Sequence, residues 1–234
     1  MQLFYNPNIK KEDSFFTFDK EESKHIVKVL RKKESDIIQL SNGNGSLFTC
    51  EITIASDKKC QVKIVDSQFI EPKKYKVHLA VAPTKMNDKY EWFLEKATEI
   101  GIDEITPIIC DHSERKVFKK DRAEKILQSA MKQSLQYYLP KINTPISFLD
   151  FIKENHEDSK FIAHCEEQNK KSFKNSIKIN ENILILIGPE GDFSLNEIAL
   201  ALKNNFIPVT LGNTRLRTET AAIVACHTIA LINE

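Results

Sequence analysis

The 234-residue chain has little glycine and no long apolar run. Six glycines and eight prolines exclude a collagen-like or low-complexity protein. The longest purely aliphatic run is Ile183 to Ile187, far shorter than the roughly 20 residues that a membrane-spanning helix needs. The first seven residues lack a basic start followed by an apolar stretch, so no secretory leader is indicated. We therefore expect a globular, cytoplasmic protein with no membrane partner.

Cysteine is also scarce and scattered. The five cysteines are an odd number and include no C-x-x-C pair, so neither a disulfide framework nor a zinc site is indicated. We expect all five to be buried thiols in a reducing compartment, and we expect no metal.

An excess of charge of one sign is missing as well. The net charge of +1 comes from 34 Lys and Arg against 33 Asp and Glu, and it does not by itself point to a nucleic acid. Two short stretches are nevertheless basic, and a solvated helix face is the plain interpretation of each. The two stretches contain Lys24, Lys28, Arg31, Lys32 and Lys33, and Arg115, Lys116, Lys119, Lys120, Arg122 and Lys125.

The first 70 residues are predicted to form a small β-barrel or sheet. Apolar residues alternate over 47–55 and 61–65, which indicates strands. The sequence Asn42-Gly43-Asn44-Gly45 indicates a hairpin turn. One helix is predicted over 20–30, with Asp19 and Glu22 in a capping box. The polar stretch 71–74 contains a proline and marks a change of pattern, so it indicates a domain boundary.

Beyond that boundary, strands alternate with helices, which is typical of a parallel α/β sheet covered on both faces. The predicted strands are 77–82, 105–110, 161–164, 183–187 and 208–211. The predicted helices are 88–100 with Gly101 after it, 122–135, one opened by a capping box at Ser194 and Glu197, and 220–232. The polar stretch 166–182 is predicted to be a surface loop. The fold class is α/β, with domains at 1–71 and 72–234.

Two loops after predicted strands combine glycine with polar residues. Gly188-Pro189-Glu190-Gly191 follows the strand 183–187, and the segment 212–220 follows the strand 208–211. Ligands of parallel α/β sheets bind at the carboxyl ends of the strands, where glycine lets backbone approach a ligand. The first loop is neither a Walker phosphate loop nor a G-x-G-x-x-G motif, which disfavours a nucleotide phosphate as ligand. For this loop alone, a plain tight turn is the alternative.

The second loop ends at the N-terminus of the predicted final helix. Thr218 or Thr220 can cap that helix, and Glu219 complements its dipole. Arg217 has no such structural explanation, because a cation is disfavoured at the positive end of a helix dipole. We therefore expect Arg217 to have a carboxylate, phosphate or substrate partner.

These residues resemble the cofactor site of the 16S ribosomal RNA uridine-N3 methyltransferases, the RsmE-type branch of the SPOUT superfamily. The resemblance is carried by Leu186-Ile187-Gly188-Pro189-Glu190-Gly191, Leu211-Gly212 and Leu216-Arg217-Thr218-Glu219-Thr220-Ala221. It continues in Lys24-His25-Ile26, Val29-Leu30-Arg31, Lys96 to Gly101, Ser113-Glu114-Arg115, Gln133-Ser134, Pro140 and His164.

The resemblance implies a PUA-like β-barrel for RNA contact and a methyltransferase domain tied in a deep trefoil knot. It implies S-adenosylmethionine as cofactor, 16S rRNA or the small ribosomal subunit as partner, and a homodimer that uses the apolar helix 221–232. The implied cofactor-binding residues are His164, Ile187, Gly188, Pro189, Glu190, Gly191, Leu211, Gly212, Leu216, Arg217, Thr218, Thr220 and Ala221. The implied RNA-binding residues are Lys24, His25, Lys28, Arg31 and Arg115.

Methylation at uridine N3, a weakly acidic imide, needs a base or a group that stabilises the forming anion. Arg217 is the candidate stabiliser. Glu219 is the candidate base, with capping of backbone amides or holding the cofactor as alternatives. Methylation of another RNA (tRNA or 23S rRNA, at a base or a ribose hydroxyl) and a non-catalytic role in ribosome assembly are the alternative functions.

The chain departs from the family in two places that matter below. Tyr137 and Tyr138 stand where arginines are frequent, and they are expected either to stack on bases or to fill a core or interface. Asp192 stands where a second glycine is frequent.

Overall fold

The computed structural model describes residues 2–154, 159–166 and 170–234. They form two compact units, the first comprising 2–72 with 131–139 and the second comprising 73–130 with the described residues beyond 139. The chain therefore returns to the first unit for one short segment, which the sequence did not predict. No helix among the described residues is long and apolar enough to span a membrane.

The first unit is a five-stranded sheet around one apolar core. Its strands are β1 (Leu3–Tyr5), β2 (Phe15–Thr17), β3 (Ile37–Ser41), β4 (Ser46–Ile54) and β5 (Gln61–Phe69). They lie in the order β1-β3-β4-β5-β2, and every pairing is antiparallel except that of β1 with β3. The alternating pattern predicted the β4–β5 pair because one face of each strand is buried; Phe48 and Val62 are at most 1% exposed.

The helix of the first unit differs from its prediction. An α-helix, α1, spans Lys20–Lys24 and begins at Asp19, whose carboxylate accepts the N–H of Glu22 at 2.8 Å. The chain then continues as one π-helical turn, His25–Val29. Arg31 follows with a left-handed φ of +56°. Period-3.6 reasoning cannot distinguish a short α-helix that runs into a π-turn from one continuous α-helix.

The segment 131–139 completes the first unit at the predicted hairpin. Leu139 donates its N–H to the carbonyl oxygen of Gly43 at 2.9 Å, and Gly45 donates its N–H to the carbonyl oxygen of Tyr137 at 3.0 Å. The hairpin between β3 and β4 is confirmed. Its backbone also pairs with a distant segment of the chain.

Tyr138 fills the space that Gly45 leaves open. Its hydroxyl donates to the carbonyl oxygen of Ile70 at 2.7 Å. A Cβ on Gly45 would collide with the Tyr138 hydroxyl and ring, and Gly45 also has a φ of +86°, so glycine is required twice over. Of the two expectations for this tyrosine, packing is the one the structure favours.

The second unit is a parallel sheet, as the alternation of strands and helices predicts. Its strands are β6 (Val77–Val81), β7 (Glu104–Ile109), β8 (Lys141–Ile142), β9 (Ile146–Ser147), β10 (Ser159–Ala163), β11 (Lys171–Ser172), β12 (Ile183–Ile187) and β13 (Ile207–Thr210). The order is β11-β13-β10-β12-β6-β7-β8, and β9 pairs with β7. Every residue of the central strand β12 is buried, which explains its purely apolar sequence.

Helices flank this sheet. They are α2 (Asn87–Ile100), α3 (Lys120–Gln133), α4 (Phe148–Lys153), α5 (Phe173–Ser176), α6 (Leu195–Lys203) and α7 (Thr218–Asn233). Two predicted helix ends are confirmed: α2 is followed by left-handed Gly101, and α6 begins with both bonds of the Ser194–Glu197 capping box.

The stretch 166–182, predicted to be a loop, is partly ordered by packing. Residues 167–169 lie outside the described residues, but β11 and α5 follow them. Phe173 is 1% exposed, and its ring meets Phe161 edge-on at 5.2 Å between centroids. A two-residue strand and a one-turn helix are too short to show a period, so the sequence pattern did not predict them.

Candidate functional site

The loops after β10, β12 and β13 meet at one edge of the parallel sheet. They surround a cavity of about 620 Å³, a size suited to a small-molecule ligand. Most of the predicted cofactor-binding residues line it: His164, Ile187, Gly188, Pro189, Glu190, Leu211, Gly212, Leu216, Arg217, Thr218 and Ala221. Gly191, Glu219 and Thr220 are described in the structure but do not line the cavity.

Other residues of the cavity wall were missed by the sequence interpretation. They are Ala163, Cys165, Lys170, Asp192, Val209, Thr210, Asn213, Thr214 and Arg215. Most lie at the carboxyl end of β10 or β13 or within five residues after it, so the rule that ligands bind at strand carboxyl ends could have found them. Lys170 is different, because it lies in the stretch predicted to be a surface loop.

The glycines of the first cavity loop face the protein itself. A Cβ on Gly188 would lie 3.1 Å from the ring of Phe193, and one on Gly191 would lie 3.0 Å from the Cβ of His112. These glycines therefore let the loop pack against its neighbours, which differs from the expected close approach of a ligand. Gly212, in the other loop, has open space on its Cβ side and a φ of +152°.

Two side chains anchor the first cavity loop. The Oε1 of Glu190 accepts the N–H of Lys85 at 2.9 Å. The hydroxyl of Thr218, a buried residue at the start of α7, donates to the carbonyl oxygen of Gly188 at 2.9 Å. The predicted capping by Thr218 or Thr220 is therefore wrong. Arg217 is the N-cap residue and makes no side-chain cap bond, because a guanidinium has no acceptor for a backbone N–H.

Asp192 has a left-handed backbone and two side-chain hydrogen bonds at the cavity. Its φ of +64° is left-handed, a conformation in which aspartate is among the better-tolerated residues after glycine. Its Oδ2 accepts the N–H of Cys165 at 2.7 Å, and its Oδ1 accepts the N–H of Phe193 at 2.9 Å. The side chain thus links the loops after β10 and β12.

His164 is the most unusual polar group at the cavity. It is 6% exposed, and neither ring nitrogen has a hydrogen-bond partner among the described residues. Burial and the nearby Lys170 ammonium lower the pKa of the imidazole, so the ring is neutral at neutral pH. A neutral imidazole has one donor and one acceptor, and leaving a buried polar group unpaired costs about 1–3 kcal/mol. A ligand in the cavity would satisfy it.

Two guanidinium groups are exposed at the cavity. Neither the Arg215 nor the Arg217 guanidinium has a hydrogen bond or an ion pair within 2–154, 159–166 and 170–234. The partner expected for Arg217 is therefore not one of the protein groups that the structure describes. Glu219, in the first turn of α7, is only 8% exposed.

The predicted RNA-binding residues of the first unit lie around the π-helical turn. Lys24, Lys28 and Arg31 are exposed. His25 is half-buried, and its ring meets the ring of Phe4 edge-on at 6.3 Å between centroids. Lys24 and Arg31 have no ion pair within the described residues and are available to a ligand, whereas Lys28 lies 3.6 Å from Asp57 and His25 partly serves packing.

Arg115, the RNA-binding candidate of the second unit, has a structural partner set. It is half-buried, and its guanidinium donates to the carbonyl oxygens of Val117 at 3.1 Å and Lys85 at 3.4 Å. The Lys85 ammonium in turn pairs with Glu114 at 2.8 Å. Arg115 therefore organises the loop after β7.

The thiols divide by burial. Cys50, Cys60, Cys110 and Cys226 are buried, and burial raises the pKa of Cys50 and of Cys226 to about 12. Cys165 is exposed, so the expectation that all five are buried is wrong; it stands just beyond the end of β10, at the cavity. Within the part of the chain that the structure describes, no cluster of three or more His, Cys, Asp or Glu side chains could hold a metal ion.

Family models match both parts of the chain. An RNA methyltransferase domain matches residues 71–230, and an RNA methyltransferase PUA domain matches residues 18–65. The first unit thus contains a PUA-like domain, in a protein of mixed α/β fold.

Individual proteins are similar over almost the whole chain. Ribosomal RNA small subunit methyltransferase E of Buchnera aphidicola from Acyrthosiphon pisum is 34% identical over an alignment of 235 positions, gaps included. The alignment covers 94% of this chain and 90% of that protein. The Bacillus subtilis protein of the same name is 28% identical over 233 residues, covering 94% and 91%.

Solved structures are also similar over almost the whole chain. A Porphyromonas gingivalis protein designated an rRNA-methyltransferase has a TM-score of 0.92 at 39% identity, covering 100% of this chain and 98% of that one. A Legionella pneumophila protein designated a methyltransferase, in complex with the bound cofactor SAM, has a TM-score of 0.88 at 28% identity, covering 99% and 97%. The chain therefore belongs to the RNA methyltransferase family that includes the ribosomal RNA small subunit methyltransferases E.

Proposed function

We propose that this protein transfers a methyl group from S-adenosylmethionine to N3 of a uridine in the 16S rRNA of the small ribosomal subunit. The observation that carries the proposal is the cavity at the ends of β10, β12 and β13, with the unpaired, buried imidazole of His164 on its wall. The names of the relatives support the ribosomal substrate, and the SAM complex of the Legionella protein supports the cofactor. Ribosomes and their RNA are cytoplasmic, so we expect the protein there.

The residues present fit S-adenosylmethionine. Ile187, Leu216 and Ala221 offer apolar surface for an adenine ring, while the His164 ring can pair with a polar group of the cofactor. Lys170 and Arg215 bring positive charge to the cavity for a carboxylate. When bound, the cofactor supplies a methyl group that is attached to a positively charged sulfur. Transfer of the methyl group leaves that sulfur as a neutral thioether.

Arg217 is the residue that we assign to the chemistry. Release of the N3 proton to solvent leaves negative charge on the uracil ring and its carbonyl oxygens, and N3 would then bond to the methyl carbon as the bond from that carbon to sulfur breaks. An unpaired guanidinium at the cavity can stabilise that charge. N3 lies on the base-pairing edge, so the uridine must be unpaired or extruded when it reacts.

The position of Glu219 suits a role other than that of the base that takes the uridine N3 proton. It is 8% exposed and does not line the cavity. In the first turn of α7, its carboxylate complements the helix dipole. We therefore propose that Glu219 stabilises the helix start that carries Arg217 and Thr218.

The domain roles and the knot belong to the same proposal. We propose that 1–71 contacts RNA and that 72–234 is a methyltransferase domain tied in a trefoil knot. The order β13-β10-β12 supports the knot, because strands distant in the chain bring three cavity loops side by side. The bond from Thr218 to Gly188 then holds α7 against the loop after β12.

We also propose a homodimer that uses α7. Thr220, Val224, His227 and Leu231 share one side of this helix by their spacing, and the side chain of Leu231 is 56% exposed. Sedimentation equilibrium tests the assignment. A monomer at micromolar concentration would contradict it.

The proposed reaction can be tested directly. Labelled S-adenosylmethionine and the protein are incubated with small ribosomal subunits and, separately, with total RNA from a strain lacking the gene, and the labelled nucleosides are identified. Cofactor binding is measured in parallel. We expect label in 3-methyluridine of 16S rRNA. Label in another nucleoside or another RNA would reject the uridine-N3 assignment, and cofactor binding without transfer to any RNA would favour an assembly role.

A further inference from the structure

The segment 115–125 is the most basic surface of the second unit that the proposed chemistry does not use. It contains six basic residues against two acidic ones, in a chain whose net charge is +1. We propose that this surface, called the 115–125 surface below, binds the phosphodiester backbone of the RNA strand that carries the methylated uridine. This inference rests on the proposed function and adds a contact surface to it.

Four of the six cations on the 115–125 surface have no acidic partner within the described residues, and one of the four, Arg115, is bonded to backbone carbonyl oxygens instead. Lys120 lies 3.8 Å from Glu124, and Arg122 lies 2.6 Å from Glu91. Lys116, Lys119 and Lys125 are exposed, and none is paired with a carboxylate in the described parts of the chain. These three lysines are therefore available to bind phosphates.

The position of Lys119 at the start of α3 is electrostatically unfavourable without an anion. The carbonyl oxygen of Lys119 accepts the N–H of Ala123 at 3.2 Å, so Lys119 stands at the beginning of the helix. Lys120 and Arg122 follow in the first turn, where only Asp121 is acidic. These two cations are paired with carboxylates, whereas Lys119 meets the positive end of the helix dipole without such a partner, and a phosphate would relieve that repulsion.

The loop that presents the lysines is held in a defined shape. Arg115 bonds to two backbone carbonyl oxygens, as described above, and the ring of Phe118 packs edge-on against Tyr90 at 5.6 Å between centroids. The surface includes a hollow of about 600 Å³ lined by Phe118, Lys119, Lys120, Asp121, Arg122 and Lys125. A preformed hollow lets cations contact phosphates with little further ordering.

The same loop touches the first cavity loop. The ring nitrogen Nδ1 of His112 lies 3.0 Å from the carbonyl oxygen of Gly191. Lys85, whose carbonyl oxygen accepts from Arg115, donates its N–H to Glu190. Phosphates bound at the 115–125 surface would therefore belong to nucleotides near the base in the cavity, which is why we assign the surface to the methylated strand.

The test compares two triple variants that remove the same charge. K116A/K119A/K125A removes the unpaired lysines of the surface. K76A/K174A/K203A removes three exposed lysines of the same unit that lie neither on the surface nor at the cavity. Binding to a single-stranded, uridine-rich RNA oligonucleotide is measured as a function of salt, and KM and kcat are measured with small ribosomal subunits from a strain lacking the gene.

We expect only the surface variant to change. At about 0.15 M salt its RNA affinity should fall about tenfold or more, and the slope of log affinity against log salt should shrink by about 2, since each lost phosphate contact to a single strand removes about 0.7. KM should rise while kcat and S-adenosylmethionine affinity stay at the control's values. Equal salt slopes and equal KM for the two variants would overturn the inference.

Failure of the proposed function gives a different result. If the wild-type protein makes no 3-methyluridine but the two variants differ in salt slope, the reaction assignment fails and the RNA-binding surface stands. If 3-methyluridine forms and the slopes do not differ, the surface fails alone.

Discussion

Glycine-containing turns in the two units of this protein have different surroundings. The turn at 42–45 in the first unit is filled, because Tyr138 occupies the space beside Gly45 and bonds to the carbonyl oxygen of Ile70. The loops at 188–191 and 212–217 in the second unit surround an open cavity. Glycine at a turn therefore does not distinguish a binding loop from a packed one.

Polar groups without hydrogen-bond partners distinguish the cavity loops from the packed turn at 42–45. Around the filled turn, backbone groups of Gly43 and Gly45 are bonded to the segment 131–139. At the cavity, both ring nitrogens of His164 and the guanidinium of Arg217 have no partner among the described residues. A buried polar group without a partner in an otherwise well-bonded protein indicates that a ligand completes the site.

The largest effect should come from removing the unpaired guanidinium. Arg217→Ala should lower kcat for methyl transfer by about 100- to 1,000-fold, as loss of one charge-stabilising donor typically does. The free energy of unfolding and the cofactor affinity should change little, since Arg217 makes no described side-chain bond. Single-turnover transfer of labelled methyl groups and calorimetric titration with cofactor measure the two quantities.

Arg217→Lys sharpens that prediction. It keeps the positive charge and loses the planar fork of donors. Partial recovery of kcat would show that charge is what matters, while a rate as low as that of the alanine variant would show that geometry matters. Wild-type turnover by either variant would contradict the catalytic role.

The next largest effect should be a loss of stability when the turn at 42–45 is changed. Gly45→Ala should lower the free energy of unfolding by about 2–4 kcal/mol, because its Cβ collides with Tyr138 and its φ is left-handed. Gly212→Ala is the matched control, with open space on its Cβ side, and should cost only about 1 kcal/mol of backbone strain. Urea unfolding of both variants measures this, and equal costs would contradict the contrast between the turns.

The anchor between α7 and the first cavity loop should matter less. Thr218→Val keeps the shape and removes the hydroxyl that donates to Gly188, which is worth about 1 kcal/mol. Cofactor affinity should fall about fivefold, because the loop is less fixed. Thr228→Val, which loses a hydroxyl bond further along α7, is the control in the same titration. Unchanged cofactor affinity in Thr218→Val would show that the hydrogen bond to Gly188 does not contribute to cofactor binding.

The smallest effect concerns pH. The pKa of His164 lies below its ordinary value of about 6.5, so between these two pKa values the unfolded chain binds one more proton than the folded one. The free energy of unfolding should rise with pH across this interval, by at most about 1.4 kcal/mol per pH unit, and level off above about pH 7. Urea unfolding of the wild type and of His164→Gln measures the difference. Identical pH profiles would contradict a buried, neutral imidazole.

Much of the fold was predictable because its elements are periodic. The parallel strands, α2 with its left-handed Gly101 and the capping box at Ser194 follow from local patterns. The π-helical turn at 25–29, the short α5 and the return of 131–139 to the first unit do not. They are decided by packing between residues far apart in the sequence, which no local period encodes.

The site was predictable in place and less so in detail. The strand-end rule and the resemblance located the cavity loops, but Thr218 was expected to cap α7 and instead bonds to Gly188. Lys170 was missed because its stretch has no pattern. Asp192 was noted as a departure, but its bond to Cys165 depends on a loop-to-loop approach that only the folded chain has.

Calorimetric titration of the wild type and of His164→Ala with S-adenosylmethionine asks whether the unpaired imidazole belongs to the cofactor site, with His25→Ala as a histidine control that does not line the cavity. We predict one cofactor per wild-type and His25→Ala chain, and about tenfold or weaker affinity for His164→Ala, because the cofactor group that pairs with the imidazole would then be buried without a partner. No binding by the wild type, or equal affinity in all three proteins, would contradict this prediction.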